Sequence, residues 1–294
     1  MNSFTCFGEV LWDVFRDQEK IGGAPLNVAL RLHSFHNDVA IISSVGNDAF
    51  GEKLKKFISE NGLTTDFLQK DKTLATGRVN VTLDENGSAS YEISQPVAWD
   101  SIQLNQSNID RVKQCDVFVF GSLACRNSVS KQTLIDLLNH ARFKVFDVNL
   151  RPPYFSLGLI EDLMHKADFV KFNDEELEYV SKQLNSKFSS IQDNMKFVSE
   201  KYIVRHICVT RGSKGALFLS DGKWFSNDGY KINVKDTVGA GDSFLASLLH
   251  KFIGKNHRQE ALNFACAVGA LVAGSEGANP KIKEGDIKKL MISK

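Results

Sequence analysis

An α/β fold is what this sequence predicts: a mostly parallel sheet with helices on both faces, and a second, small sheet projecting beside it. Three features lead there. From about residue 115 onward, the apolar runs Val117–Phe120, Lys144–Val148, Phe169–Phe172 and His206–Thr210 alternate with stretches of helical periodicity, which is the rhythm of βα units. Earlier, Thr76–Leu83 and Ala89–Ser94 alternate polar with apolar residues around Asp84-Glu85-Asn86-Gly87, a hairpin signature, and join Leu11–Ile21 in the small sheet. Finally, 294 residues of which 43% are hydrophobic can bury one large core, and no repeat or Pro-rich linker divides them. The chain therefore reads as a single domain, residues 1–294, with the small sheet built from insertions at about 11–22 and 74–100. Ligands of parallel sheets collect at the carboxyl ends of the strands, where a projecting sheet would act as a lid. An antiparallel edge without such a role is the plainer alternative.

Composition narrows the ligand class. Positive and negative side chains nearly cancel at +1 and are mixed along the length, so no footprint for nucleic acid or a membrane surface is expected and a small molecule becomes the default. Five cysteines are widely spaced and lack CxxC or Cys/His pairing, which points to reduced thiols and a cytoplasmic location. The seven histidines show no ligand spacing. The first residues carry no basic start or long apolar run, so neither secretion nor membrane insertion is expected.

The most informative stretch is Asp236-Thr237-Val238-Gly239-Ala240-Gly241-Asp242-Ser243-Phe244. Beyond it, Leu245, Leu249 and Ile253 recur at helical spacing and Gly254 supplies a stop. Gly239, Ala240 and Gly241 thus sit at a helix N-terminus, where small residues leave backbone N–H groups uncovered for the charge on a phosphoryl group in flight. Asp242 at the same place would stay ionised and accept the proton of an attacking hydroxyl. The same residues also fit an ordinary capping arrangement.

Other residues admit two readings each. Asp13 follows an apolar strand, and its carboxylate can accept from two neighbouring hydroxyls of a ligand or stand as a solvated turn residue. Gly22 and Gly23 would let backbone approach a ligand; Pro25 fits the first turn of the next helix; Asn27 offers both donor and acceptor, or is a polar helix-start residue. Asn173 and Glu176, three apart at a helix start, would order Mg²⁺ and its waters or form a capping box. Arg151, at the end of a core strand, would neutralise phosphoryl charge or make a surface ion pair.

The nine-residue string resembles the C-terminal signature of the PfkB, or ribokinase-like, carbohydrate kinases. Gly22-Gly23-Ala24-Pro25-Leu26-Asn27-Val28-Ala29 with Gly46-Asn47-Asp48-Ala49-Phe50-Gly51 resembles the N-terminal signature, Asn173-Asp174-Glu175-Glu176 the Asn-x-x-Glu motif, and Thr210-Arg211-Gly212-Ser213-Lys214-Gly215 the nucleotide loop. The resemblance covers essentially the whole chain and implies a ribokinase-like three-layer α/β/α sandwich with a β-sheet lid. It further implies ATP as co-substrate, Mg²⁺, a K⁺ ion, and a homodimer paired through the lid. Residue by residue, it implies sugar contacts at Asp13, Gly22, Gly23, Asn27 and Asp242, with Arg78 beside them. ATP contacts follow at Asn173, Thr210, Gly212, Gly215, Gly241 and Cys266, and K⁺ ligation, mostly by carbonyls, at Asp236, Val238, Val272, Ser275 and Gly277. Gly8-Glu9-Val10-Leu11-Trp12-Asp13, Gly23-Ala24-Pro25, Tyr91-Glu92-Ile93 and Pro96–Asp100 are most similar to the fructokinases, which implies D-fructose phosphorylated at its 6-hydroxyl. The chain departs from the family around His36-Asn37-Asp38, where a Gly is usual, and at Leu26 and Val28. A 2-keto-3-deoxygluconate kinase is the alternative, because Arg78 would pair with an acid's carboxylate. A non-catalytic sugar- or nucleotide-binding regulator is the alternative of another class, although such a relative would be expected to lose Asp242.

Overall fold

A computed structural model describes residues 1–15, 17–83, 89–254 and 256–293. Its strands are β1 (Ser3–Phe7), β2 (Leu11–Val14), β3 (Glu19–Gly22), β4 (Asp38–Gly46), β5 (Leu68–Asp71), β6 (Gly77–Leu83), β7 (Ala89–Ile93), β8 (Val117–Gly121), β9 (Lys144–Asp147), β10 (Phe169–Asn173), β11 (His206–Thr210), β12 (Ala216–Ser220) and β13 (Lys223–Asn227). Its α-helices are α1 (Ala24–Ser34), α2 (Ala49–Glu60), α3 (Gln106–Gln114), α4 (Ser128–Leu138), α5 (Leu157–Lys166), α6 (Asp174–Gln183), α7 (Ile191–Tyr202), α8 (Ala240–Ile253), α9 (Arg258–Ala273) and α10 (Glu284–Ile292).

Among the described residues the large sheet has nine strands in the order β13-β12-β11-β10-β9-β8-β1-β4-β5. It is parallel from β11 to β5 and antiparallel at β11–β12 and β12–β13. Every strand expected from an apolar run is present. The antiparallel edge was not anticipated, although Asp221-Gly222 between β12 and β13, both at positive φ, is a two-residue hairpin signal. Side chains alternate across the sheet: Phe4, Cys6, Val117, Val119 and Phe169 pack with α1, α2, α8, α9 and α10, whereas Phe7, Phe118, Phe120, Phe146 and Phe172 pack with α3 to α7. Both faces are covered, which is why these strands read as continuous apolar runs. The result is the three-layer α/β/α sandwich, and the strand order reverses direction across the sheet between β1 and β8, the point at which sheets of this kind have their ligand crevice, at the carboxyl ends of the strands.

From the end of β1 the chain passes directly into the small sheet, ordered β3-β2-β6-β7. The turn Asp84-Glu85-Asn86-Gly87 lies outside the described residues; β6 and β7 flank it in antiparallel register, Leu83 opposite Ala89. One face of the small sheet rests on α2. There the Trp12 indole meets the Phe50 ring edge-on at 5.7 Å, and its Nε1 donates to the Phe50 carbonyl at 3.1 Å. The other face carries Leu11 and Val79, packed with Phe15 and Ile93.

Both limbs leading into this sheet are tied to the body. Asp48 caps α2 by accepting from Gly51 N at 2.8 Å and also accepts from Thr76 N at 2.8 Å and Thr76 Oγ1 at 2.7 Å, just before β6. After β7, the Arg126 guanidinium lies 3.9 Å from the Trp99 ring, donates to the Ser94 carbonyl at 2.7 Å and grips both oxygens of Asp100 at 2.7 and 2.8 Å. No described helix is long and apolar enough to cross a membrane, and all five cysteines are buried.

The Asp100–Arg126 pair is buried, so removing one partner strands a charge. Asp100→Leu should lower the unfolding free energy in urea by roughly 3–5 kcal/mol, and adding Arg126→Met should restore most of it. A double variant no better than the single one would refute this account.

Candidate active site

The N-terminus of α8 faces the crevice. Its N-cap is Gly239, at φ +73°, and a Cβ there would lie 2.6 Å from Ala278 Cα, so only glycine fits both the turn and the neighbour. No side chain caps the helix. The Ala240 N–H donates to the Thr237 carbonyl at 3.2 Å, so the expected three-amide cradle is smaller than the sequence implied. Gly241 and Asp242, at the second and third helical positions, have no carbonyl one turn earlier to receive their N–H groups. Asp242 is therefore not the cap. Its carboxylate instead accepts from Asn27 Nδ2 of α1 at 2.8 Å.

Beneath this turn lies an ion pair. Lys171 on β10 stands in register with Asp147 at the end of β9, their charged atoms are 2.9 Å apart, and the two residues are 6% and 4% exposed. Lys171 Nζ would be 3.6 Å from a Cβ placed on Gly241, so the cation sits directly under the helix start. Burial works against the Lys171 charge, but Asp147 and Glu176 outweigh it and hold the ammonium above its usual range. Sequence reasoning passed over Lys171 as a site residue; a lysine inside the apolar run Phe169–Phe172 was the available signal.

Three carboxylates of the crevice, those of Asp242, Glu9 and Asp13, are less acidic than usual. Burial, followed by repulsion from Asp147, pushes Asp242 up to about 6, while the Asn27 hydrogen bond, Lys171 and Arg151 hold it down. Burial pushes Glu9, just past β1, up to about 7, and its buried Oε2 has no hydrogen-bond partner among the described residues. Burial likewise raises Asp13, on β2, to about 6 against the pull of Arg151 and Lys20. Arg151 thus acts on three carboxylates of one crevice. Among the described residues it has no carboxylate within 4.0 Å, and its Nη1 donates to the Leu150 carbonyl at 2.9 Å, so the surface ion pair is not what the structure contains.

Glycines at 22 and 23 have a reason other than ligand approach. A Cβ on Gly22 would lie 2.5 Å from Asp13 Oδ2, and one on Gly23 would meet the Glu9 carbonyl, so the chain here packs against itself and leaves the Asp13 carboxylate its place. Pro25 occupies the first turn of α1, and Asn27, one turn in, is buried. Arg78 requires a correction. It pairs with Trp12 in the parallel β2–β6 register, Val79 with Asp13, so Arg78 lies on the face turned to α2, its guanidinium 5.4 Å from the Phe50 ring centre. A substrate held by Asp13 is on the other face.

At the nucleotide end, the capping alternative is realised for Asn173 and Glu176. Asn173 Oδ1 accepts from Glu176 N at 2.7 Å, Glu176 Oε2 accepts from Asn173 N at 2.8 Å, and Oε1 accepts from Leu150 N at 2.9 Å. Both oxygens of Glu176 are thus engaged by backbone. No group of three or more His, Cys, Asp or Glu with metal-binding geometry occurs among the described residues, so a divalent ion would draw its ligands chiefly from phosphate oxygens and water. That fits Mg²⁺ better than a protein-caged metal.

Thr210 ends β11 beside Asn173, and Gly212 faces open space. Gly215 differs: a Cβ would strike the Asn227 carbonyl, so this glycine serves a chain crossing. Cys266, on α9, is 7% exposed and belongs to the apolar layer that this helix packs into. The five residues named for K⁺ lie on adjoining segments stitched by Asp236, whose carboxylate accepts from Val238 N at 3.0 Å and Gly277 N at 3.2 Å. The Asp236 carboxylate thus joins the segment before α8 to the one after α9, an arrangement compatible with a monovalent cation between them.

Comparison with known proteins agrees with this architecture. The model of the pfkB family carbohydrate kinases matches residues 2–284. A Pyrococcus horikoshii protein described as an uncharacterized sugar kinase is 30% identical over 249 residues, covering 81% of this chain and 75% of its own length. Fructokinase-2 of Oryza sativa subsp. japonica is 25% identical over 323 residues, covering 100% and 94%. The crystal structure of the Pyrococcus protein, described as an uncharacterized sugar kinase in complex with ATP, superposes with a TM-score of 0.83 at 27% identity over 98% of this chain and 99% of that one. The chain belongs to the PfkB family of carbohydrate kinases and has its ribokinase-like fold.

The position of Asp242 has a thermodynamic consequence. The folded chain keeps this proton up to about pH 6, whereas the unfolded chain releases it near pH 4, so the group's contribution to stability falls as pH rises through that window. Asp242→Asn should therefore exceed the parent in stability at pH 7 by about 2 kcal/mol and lose the advantage below about pH 4 in urea melts. A difference independent of pH would contradict the assignment.

Proposed function

We propose that this PfkB-family carbohydrate kinase transfers the γ-phosphoryl group of ATP to the primary hydroxyl of a sugar, with D-fructose, converted to fructose 6-phosphate, as first substrate and Asp242 as catalytic base. The observation that carries the proposal is the carboxylate itself. It is released from capping, raised to about 6 and set beside unpartnered N–H groups at a helix start.

The step follows from those positions. Asp13 and Asn27 hold the sugar's hydroxyls, and the acceptor hydroxyl lies against Asp242. As its oxygen bonds to the γ-phosphorus, the bond from that phosphorus to the bridging oxygen breaks, the proton passes to Asp242 and ADP departs. A base near 6 is ionised at neutral pH yet basic enough to share the proton in the transition state. Charge on the equatorial oxygens meets the N–H groups of Gly241 and Asp242, with Lys171 beneath and Arg151 across the crevice. Mg²⁺ held by phosphate oxygens and water would supply further neutralisation, and Asn173 and Glu176, engaged in their capping box, would meet it only through those waters and the lone pairs the box leaves over. A K⁺ ion on the carbonyls of Asp236, Val238, Val272, Ser275 and Gly277 would brace the loop that shapes the helix start.

ATP as donor is supported by the complex of the Pyrococcus relative, and fructose by relatives named fructokinase. A sugar acid is less well supported now that Arg78 faces α2. A non-catalytic regulator would have no use for a base of this kind.

Asp242→Asn should still bind ATP and sugar by calorimetry and lose roughly 10²–10⁴-fold in turnover; unchanged turnover removes the base. For the parent, kcat/KM should fall on the acid side with a midpoint near pH 6. A coupled ADP-release screen over fructose, ribose, 2-keto-3-deoxygluconate, adenosine and tagatose, with and without K⁺, decides the substrate. Reaction with the sugar acid but not with fructose would overturn that choice.

A further inference from the structure

Three consecutive residues after α9, Ala278, Asn279 and Pro280, run across the start of α8. Each meets a different part of the site. Ala278 fills the space a side chain at Gly239 would need, its Cα 2.6 Å from that Cβ position. Asn279 Nδ2 donates to Asn27 Oδ1 at 2.7 Å. The Pro280 carbonyl accepts from Arg31 Nη2 at 2.9 Å, while Arg31 Nε donates to Ser243 Oγ at 3.1 Å. Asn27 and Arg31 are one turn apart on α1, so the segment is fastened along one stripe of that helix and abuts α8 on the other side.

The hydrogen bonds from Asn279 form a chain with a direction. An ionised Asp242 can only accept, so Asn27 must turn its NH₂ group toward it; the Asn27 oxygen then faces Asn279 and needs a donor there. Asn279 provides one, and its own oxygen is left at the far end, buried and without a partner among the described residues. An amide whose acceptor stays unsatisfied in order that its donor can serve another residue is costly unless that service matters.

We propose that Asn279 is a positioning residue of the active site: its amide locks Asn27 with the NH₂ group toward Asp242, which keeps the base turned as an acceptor and in its ionised form. This rests on the reading of Asp242 as base. The consequence is a set acidity. Asp242 is faced by Asp147 at the end of β9, Lys171 on β10, Arg151 beyond β9 and Glu9 beyond β1, while α1 contributes Asn27, with Arg31 directed to Ser243 and Pro280. Among the influences holding Asp242 down, the Asn27 hydrogen bond ranks first. Loss of its orientation should make the carboxylate hold its proton to higher pH.

The test compares pH profiles of kcat/KM for Asn279→Leu, Asn279→Asp, Asn279→Gln, Asn27→Ala and Asn27→Ala/Asn279→Leu, with melting temperatures measured alongside. Asn279→Leu should move the acid limb up by about half a pH unit and lower kcat several-fold, with the KM for ATP little changed. Asn279→Asp, which can only accept, should turn Asn27 over and move the limb by about one unit; the uncharged Leu variant separates this from the added charge. Asn279→Gln keeps a donating amide and should recover part of the loss. In the Asn27→Ala background, Asn279→Leu should shift nothing further.

An acid limb that stays put in both Leu and Asp variants, or a shift that persists without Asn27, overturns the proposal. Should Asn279→Leu fold poorly, Asn279→Ala, which also lacks a donor, gives the same readout. Asp242→Asn is run in parallel: parental turnover there removes the base and this inference together, whereas an inactive Asp242→Asn with unmoved limbs removes this inference alone.

Discussion

A hydrogen bond of 2.8 Å from Asn27 to Asp242 joins residues 215 positions apart, and most of what the crevice can do depends on it. One partner lies on the first helix of the chain and the other on the helix that follows the glycine-rich turn. Their meeting brings the two sequence signatures to the same point, at the end of β1. Because the helix start is capped by a glycine, Asp242 has no backbone duty and its carboxylate is available to a ligand. Had the cap been an aspartate, the same sequence pattern would describe a structural turn.

Around that contact, the electrostatics are a compromise between burial and pairing. Lys171 and Asp147 neutralise each other in the interior, a geometry that stabilises little by itself but is costly to break. Its effect is felt above, where the ammonium under Gly241 offsets part of what burial and Asp147 impose on Asp242. The carboxyl ends of the strands thus gather several acids with few cations. Under the proposed reaction, such a surface would suit a phosphate ligand that arrives with its own metal ion.

The sequence carried the framework because strands and helices are governed by local pattern. The apolar runs of β8 to β11 and the helix from Ala240 to a stop at Gly254 needed only neighbours to be recognised. Asp221-Gly222 was equally local, and its hairpin was legible but passed over. Other features are not local at all. Which way Arg78 points is decided by parallel pairing between β2 and β6, more than sixty residues apart, where a shift of one position changes the face. Whether Glu176 is available to a metal depends on Leu150, brought beside it from the adjacent strand's exit. Ala240's inward-turned N–H follows from the tightness of one turn, and Asn279 has no motif to announce it.

Consider, finally, how the small sheet is mounted. Trp12 is keyed to Phe50 by ring contact and hydrogen bond, and Asp48, at the head of the same helix, grips Thr76 where the chain departs for β6. The sheet that bears Asp13 is consequently one piece with the first turn of α2. A tilt of that sheet would have to break these contacts or take the turn with it, so residues remote from Asp13 share in fixing where its carboxylate stands.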